Sequence, residues 1–179
     1  MRSKILSTVI LAISLFSVTA QEPVDNRKRT VIFENVNVIT MDGSKVLENQ
    51  RVVVSNGRIV QVGTKRTKQD GALIIDAKGK YLIPGLAEMH AHVPPVDNLE
   101  PMKEVLLLYA FNGVTTIRGM LGHPRHLELR SKIASGEILG PRFYTSGPSL
   151  NGNSVQSPEM GASMVREQKQ AGYDFLELH

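Results

Sequence analysis

Tyr81-Leu-Ile-Pro-Gly-Leu-Ala-Glu-Met-His-Ala-His92 decides how this chain is read. An apolar strand enters the stretch, Pro84-Gly85 breaks it, and two histidines spaced i, i+2 close it. Side chains alternate between the faces of a strand, so His90 and His92 share one face. Imidazole is the commonest metal-ligating side chain, and two on one face form half of a metal site. The pattern points to metal-dependent hydrolysis. Glu88 falls on the same face one layer lower, where it either buttresses the histidines or joins a polar layer beneath them.

Upstream, residues 31 to 80 carry the period-2 pattern of β-structure. Val31, Phe33, Val36 and Val38 read as one strand with an irregularity at Asn35. Arg51-Val-Val-Val-Ser-Asn-Gly-Arg-Ile-Val-Gln-Val62 reads as a hairpin, because Asn56-Gly57 can adopt the positive φ angles of a type I′ turn. Leu73-Ile74-Ile75 supplies a further strand, and Asp76-Ala-Lys-Gly79 a turn. The expectation is a small antiparallel β unit over 31–80, preceded by a linker at 21–30 and holding no catalytic constellation.

Downstream, the rhythm becomes strand, helix, strand, helix. Met102, Val105, Leu106 and Tyr109 fall at helical spacing, and Asn112-Gly113 stops that helix. Val114 to Met120 is the next strand. Pro124 to Ser135 is a helix with Leu127, Arg130, Ile133 and Ala134 periodic, closed by Gly136. Arg142 to Ser146 is a strand, Ser157-Pro158-Glu159 opens a helix that ends at Ala171-Gly172, and Tyr173 to His179 reads as a fourth strand. Alternation of this kind predicts an α/β fold with a parallel sheet and right-handed crossovers. Four units of roughly 30 residues are half of a (β/α)8 TIM-like barrel, whose full set takes about 250 residues. Residues 81–179 are therefore expected to be the first half of such a barrel, with the sequence stopping in mid-architecture.

Barrel active sites form at the C-terminal ends of the strands, so His90 and His92 belong at that mouth. Glu177 and His179 repeat the i, i+2 spacing at the end of the fourth strand. A carboxylate at Glu177 could bind a divalent metal or bridge two; the alternative is an ordinary edge carboxylate. Arg118 and His123, at or just beyond the second strand, are candidates to bind substrate or support a ligand, as is His179. Asn151-Gly-Asn153 reads either as an active-site loop or as a plain turn.

Composition narrows the class. The sequence has 179 residues, 41% apolar and 21% charged, enough for a sizeable core. It contains no cysteine, which excludes disulfides, thiolate nucleophiles, Cys-based zinc sites and a lipid-anchoring cysteine. Arg2 and Lys4, the apolar run Ile5 to Phe16, and Val18-Thr19-Ala20 read as a signal peptide over 1–20, cleaved to leave Gln21 first. The run is too short to span a bilayer comfortably, so an exported, periplasmic or secreted protein without a stable membrane anchor is expected, with an uncleaved anchor as the alternative. Loss of Arg2 and Lys4 lowers the formal charge from +4 to +2, too little to argue for a nucleic-acid partner.

Pro84-Gly-Leu-Ala-Glu-Met-His-Ala-His92, the hairpin before it and Gly113-Val-Thr-Thr-Ile-Arg118 resemble the amidohydrolase superfamily, nearest to its exported imidazolonepropionase-like and dipeptidase-like members. The resemblance covers residues 31–179. It implies a β-sandwich, built from strands at both ends of the chain, beside a metal-bearing barrel. It implies that His90 and His92 ligate the more buried metal, usually zinc, in a site of one or two ions. At the position of Glu177 many relatives carry a lysine whose carbamate bridges two metals. Glu177 is already a carboxylate but shorter, so both a bridging role and a mononuclear site stay open. The family's other ligands are histidines on the fifth and sixth strands and its general base an aspartate on the eighth. None falls in this sequence, so no catalytic base is assigned. The implied activity is hydrolysis of carbon–nitrogen bonds in small amides, cyclic amides or dipeptides by metal-activated water. A truncated non-catalytic remnant and a metal-dependent esterase or lactonase are the alternatives.

Overall fold

The structure, a computed structural model, describes residues 29–179. The expected signal segment at 1–20 and nearly all of the 21–30 linker lie outside the described residues. The chain divides into two compact units, the first holding the described residues through Val38 together with Val46–Leu82, the second Ile39–Lys45 and Ile83–His179.

The first unit is one sheet built from β1 (Val31–Ile39), β2 (Val46–Ser55), β3 (Arg58–Gly63), β4 (Leu73–Asp76) and β5 (Tyr81–Leu82). Asn35 takes a φ of 58°, the irregularity that lets Phe33 pack with Val36 and Val38 on one face despite their odd spacing. Asn56 and Gly57 both have positive φ (51° and 71°), and the hairpin β2–β3 pairs antiparallel across them. The unit is not wholly antiparallel, however. β4 and β5 both pair with β1 in parallel, Phe33 opposite Ile75 and Asn37 opposite Tyr81. Parallel neighbours need a long connection between them, and the β2–β3 hairpin is that connection. Residue periodicity reveals a strand but not the direction of its neighbour.

Pro84-Gly85 ends β5 and separates it from β6 (Leu86–His92), which starts the second unit. Gly85 is needed there, since a Cβ would lie 2.0 Å from the Thr115 hydroxyl. β6, β7 (Val114–Met120) and β8 (Arg142–Thr145) form a parallel sheet in that order. The connections are α1 (Leu99–Phe111) and α2 (Pro124–Ser135), followed by α3 (Pro158–Ala171). Asn98 caps α1, and Gly136 and Gly172 close α2 and α3 in the left-handed conformation. One core joins the layers: Ala91 of β6, Ile117 of β7 and Phe143 of β8 meet Met102, Leu106 and Leu129 of the helices.

The helix α2 falls where its periodicity places it; Ile133 of that stripe packs against the core, and the fully buried residues are His126 and Leu129. One expectation changes here. The segment 173–179 is not a regular strand. It meets the preceding layer through two isolated parallel bridges, Ser146 with Phe175 and Leu150 with Leu178. Between them Pro148 has no N–H to donate, and the Asp174 carboxylate accepts the Thr145 N–H at 2.9 Å. The ladder therefore cannot run continuously. Among the described residues, the second unit holds three parallel strands and a bridged fourth segment. No described helix is long and apolar enough to cross a membrane.

Candidate functional site

The face of the sheet opposite the helices is fixed by alternation. Ala91 is fully buried toward the helix layer, which turns His90 and His92 to the other side. The two imidazoles are exposed, with ring centroids 5.2 Å apart and planes crossing at 61°. Glu88 was expected on the same face one layer lower, but the strand slips by one residue between it and Ala91, which breaks the alternation, and its Oε1 instead accepts the backbone N–H of His90 at 2.8 Å. The register of β6 against β7 shifts between Glu88 and Ala91, so this side chain satisfies a donor at the irregularity.

Glu177 is 5% exposed and sits in a cradle built by two strand ends. Its Oε2 accepts the Leu121 N–H at 2.5 Å and the Ser146 hydroxyl at 3.2 Å. Leu121 adopts a φ of 52°, which non-glycine residues rarely take. That conformation aims its N–H at the carboxylate, an example of backbone strain held at a candidate site. Gly122 follows, donating its N–H to Ser146 Oγ at 3.1 Å. A Cβ on Gly122 would stand 1.7 Å from the Ser146 carbonyl oxygen, so only glycine fits. Among the described residues Glu177 makes no ion pair.

The remaining predicted residues are placed as follows. Arg118 of β7 is half-buried with its guanidinium 4.3 Å above the Phe175 ring, a cation–π contact that fixes the side chain. His123 is the N-cap of α2: its Nδ1 accepts the Arg125 N–H at 3.3 Å, and its Nε2 lies 3.9 Å from Asp97 Oδ1. His179 donates its backbone N–H to Leu150 and has an exposed side chain. Asn151 folds its loop into a turn, its Oδ1 accepting from the N–H groups of Asn153 and Ser154. Of the three expected metal ligands, the structure brings His90 and His92 together. Among the described residues no three His, Asp or Glu side chains converge closely enough to hold a metal ion. The donor chemistry of this pair fits two positions of a divalent-metal site, and Glu177 is oriented separately by its own cradle.

Reading the sequence missed His126, Leu121 and Ser146. His126 is fully buried at the third position of α2, and burial away from water pushes its imidazole below the ordinary value near 6.5. The Pro94 carbonyl opposes that shift and the neighbouring His123 adds to it. A polar residue on the inward phase of a helix was the available signal.

Comparison with known proteins places these features in context. No family model matches the chain. An enamidase of Eubacterium barkeri is 30% identical over 143 residues, which is 75% of this chain and 35% of that protein. A 5′-deoxyadenosine deaminase of Methanosarcina acetivorans is 41% identical over 63 residues, 35% of this chain and 14% of the relative. Among solved structures, a prolidase-like protein of Bifidobacterium longum superposes with a TM-score of 0.76 at 28% identity, covering 84% of this chain and 40% of that one. The chain therefore spans less than half the length of each of these relatives.

Proposed function

The chain belongs to the amidohydrolase superfamily, and from that premise we propose that it supplies the first metal-ligating strand of a hydrolase that cleaves carbon–nitrogen bonds in small amides, cyclic amides or dipeptides. The observation that carries this reading is the His90–His92 pair: two exposed imidazoles on one face, at the C-terminal end of a parallel strand. The relatives' names (an enamidase, a deaminase, a prolidase-like protein) support carbon–nitrogen chemistry over ester or lactone cleavage. The similarity to solved structures supports reading 81–179 as the first units of a (β/α)8 barrel and 31–80 as part of a β-sandwich. We also read residues 1–20 as an export signal, making the protein periplasmic or secreted.

A bound zinc ion would lower the pKa of a coordinated water and polarise the scissile carbonyl. In this chain His90 and His92 would hold it through imidazole nitrogens. Glu177 would stand toward it as a carboxylate whose orientation is set by the Leu121 N–H and the Ser146 hydroxyl. Arg118, pinned over Phe175, would contribute positive potential on the same face for an anionic part of the substrate. None of the described residues is assigned as the proton acceptor in this reading.

The test is hydrolysis by the full-length protein of a panel of cyclic amides, dipeptides, esters and lactones. Activity on the amide members, abolished by a chelator and restored by zinc, is expected. His90→Ala combined with His92→Ala should lower that activity by at least about 1,000-fold; retention of activity in the double variant contradicts the proposal. Exposure of Leu86, Met89 and Leu178 favours a second reading, a non-catalytic remnant, whose signature would be inactivity on every member of the panel.

A further inference from the structure

His126 takes no part in the chemistry proposed above, yet it is fully buried at the junction of three strand-end segments. Its Nδ1 lies 3.3 Å from the His123 backbone N–H, a group that can only donate. Nδ1 is therefore the acceptor, which puts the proton of the neutral ring on Nε2. That Nε2–H points at the Pro94 carbonyl oxygen, 3.2 Å away. Thr145 Oγ1 lies 3.4 Å from Nδ1 and 3.0 Å from the Ser146 carbonyl, two acceptors that share its one proton, and the Phe143 ring of β8 packs edge-on 5.6 Å from the imidazole.

Each contact reaches a segment that bears part of the site. Pro94 follows His92 by two residues, His123 follows Leu121 by two, and Thr145 immediately precedes Ser146. We infer that His126 is a positioning residue, a neutral imidazole that locks the ends of β6, β7 and β8 together from the helix side, so that the His90–His92 pair and the Glu177 cradle keep one relative placement. The inference rests on the metal-site reading for its functional consequence, but its geometry is independent of any metal. Both ring nitrogens are used, so neither apolar nor singly hydrogen-bonding replacements reproduce the tie. His126→Asn keeps an acceptor near Nδ1, His126→Gln keeps a donor near Nε2, and His126→Leu keeps neither while filling the volume against Phe143.

The experiment is nitrogen-15 NMR of the full-length protein combined with zinc titration against a chromophoric chelator. The long-range histidine spectrum should show His126 as the Nε2-protonated tautomer at neutral pH. The Leu121 amide proton, bonded to Glu177, should resonate far downfield and move upfield in His126→Leu. Zinc affinity should fall about 10-fold to 100-fold in His126→Leu and less in His126→Asn and His126→Gln, the scale of lost support behind a metal ligand. If His126→Leu does not fold, the Asn and Gln variants decide by the same readouts. An Nδ1-protonated His126, or variants with an unmoved Leu121 amide, overturns the inference. If His90→Ala with His92→Ala leaves zinc affinity unchanged, the metal-site reading fails on its own, while the tautomer and the Leu121 amide still judge the tie.

Discussion

Glu177 shows how a few neutral groups can orient a carboxyl group. Its carboxylate is held by one backbone N–H in a strained conformation and one buried hydroxyl, with no ion-pair partner among the described residues. The device depends on close approach of the β7 end to Ser146, which the missing Cβ of Gly122 permits. Gly122→Ala is accordingly predicted to destabilise the protein by about 3 kcal/mol through forced separation of these backbones. Urea unfolding should show the midpoint shift, and the Leu121 amide signal should lose its downfield position. The histidine pair was legible in the sequence because strand alternation alone sets its geometry. The cradle was not, because Leu121 and Ser146 are ordinary residue types brought together by tertiary packing over 56 and 31 positions from Glu177.

At the scale of elements, punctuation residues made much of the second unit readable. The spans of β7 and α2 follow from Asn112-Gly113, Pro124 and Gly136, each serving as a stop or start with its own backbone reason. The α3 N-terminus is similar: the Ser157 hydroxyl accepts the Met160 N–H at 3.2 Å, with Pro158 at the first turn. Ser157→Ala should cost about 1 kcal/mol of stability, measured by thermal or denaturant unfolding. What periodicity could not disclose was pairing. The parallel alignment of β4 and β5 on β1 depends on the route of the connecting hairpin. The fourth segment looked like a strand by alternation, yet Pro148 and the Asp174 side chain interrupt its ladder. The buried place of His126 on α2 was hidden for a different reason. A histidine counts as polar in a hydrophobic pattern, although here it fills a core position and satisfies both ring nitrogens.

At the scale of the whole molecule, stability should depend on pH through His126. Its neighbours that titrate or carry charge are His123 in contact, Asp97 beyond His123, and Asp174 on the Thr145 N–H. Unfolded, the imidazole takes a proton near 6.5; folded, burial defers that protonation to a lower pH. Between these values the unfolded chain binds more protons, so folding stability falls as the pH drops below about 6.5. Denaturant midpoints measured across pH 7.5 to about 5 should decline in the native sequence and decline less in His126→Gln.

Zinc-edge X-ray absorption of the full-length protein tests whether His90 and His92 ligate a catalytic zinc ion. After exhaustive dialysis the protein should retain zinc bound by imidazole nitrogens at about 2.0–2.1 Å, and the His90→Ala, His92→Ala double variant should lose that zinc with its fold intact. Zinc held equally by the double variant, or no zinc retained by the native protein after reconstitution, would contradict that ligation.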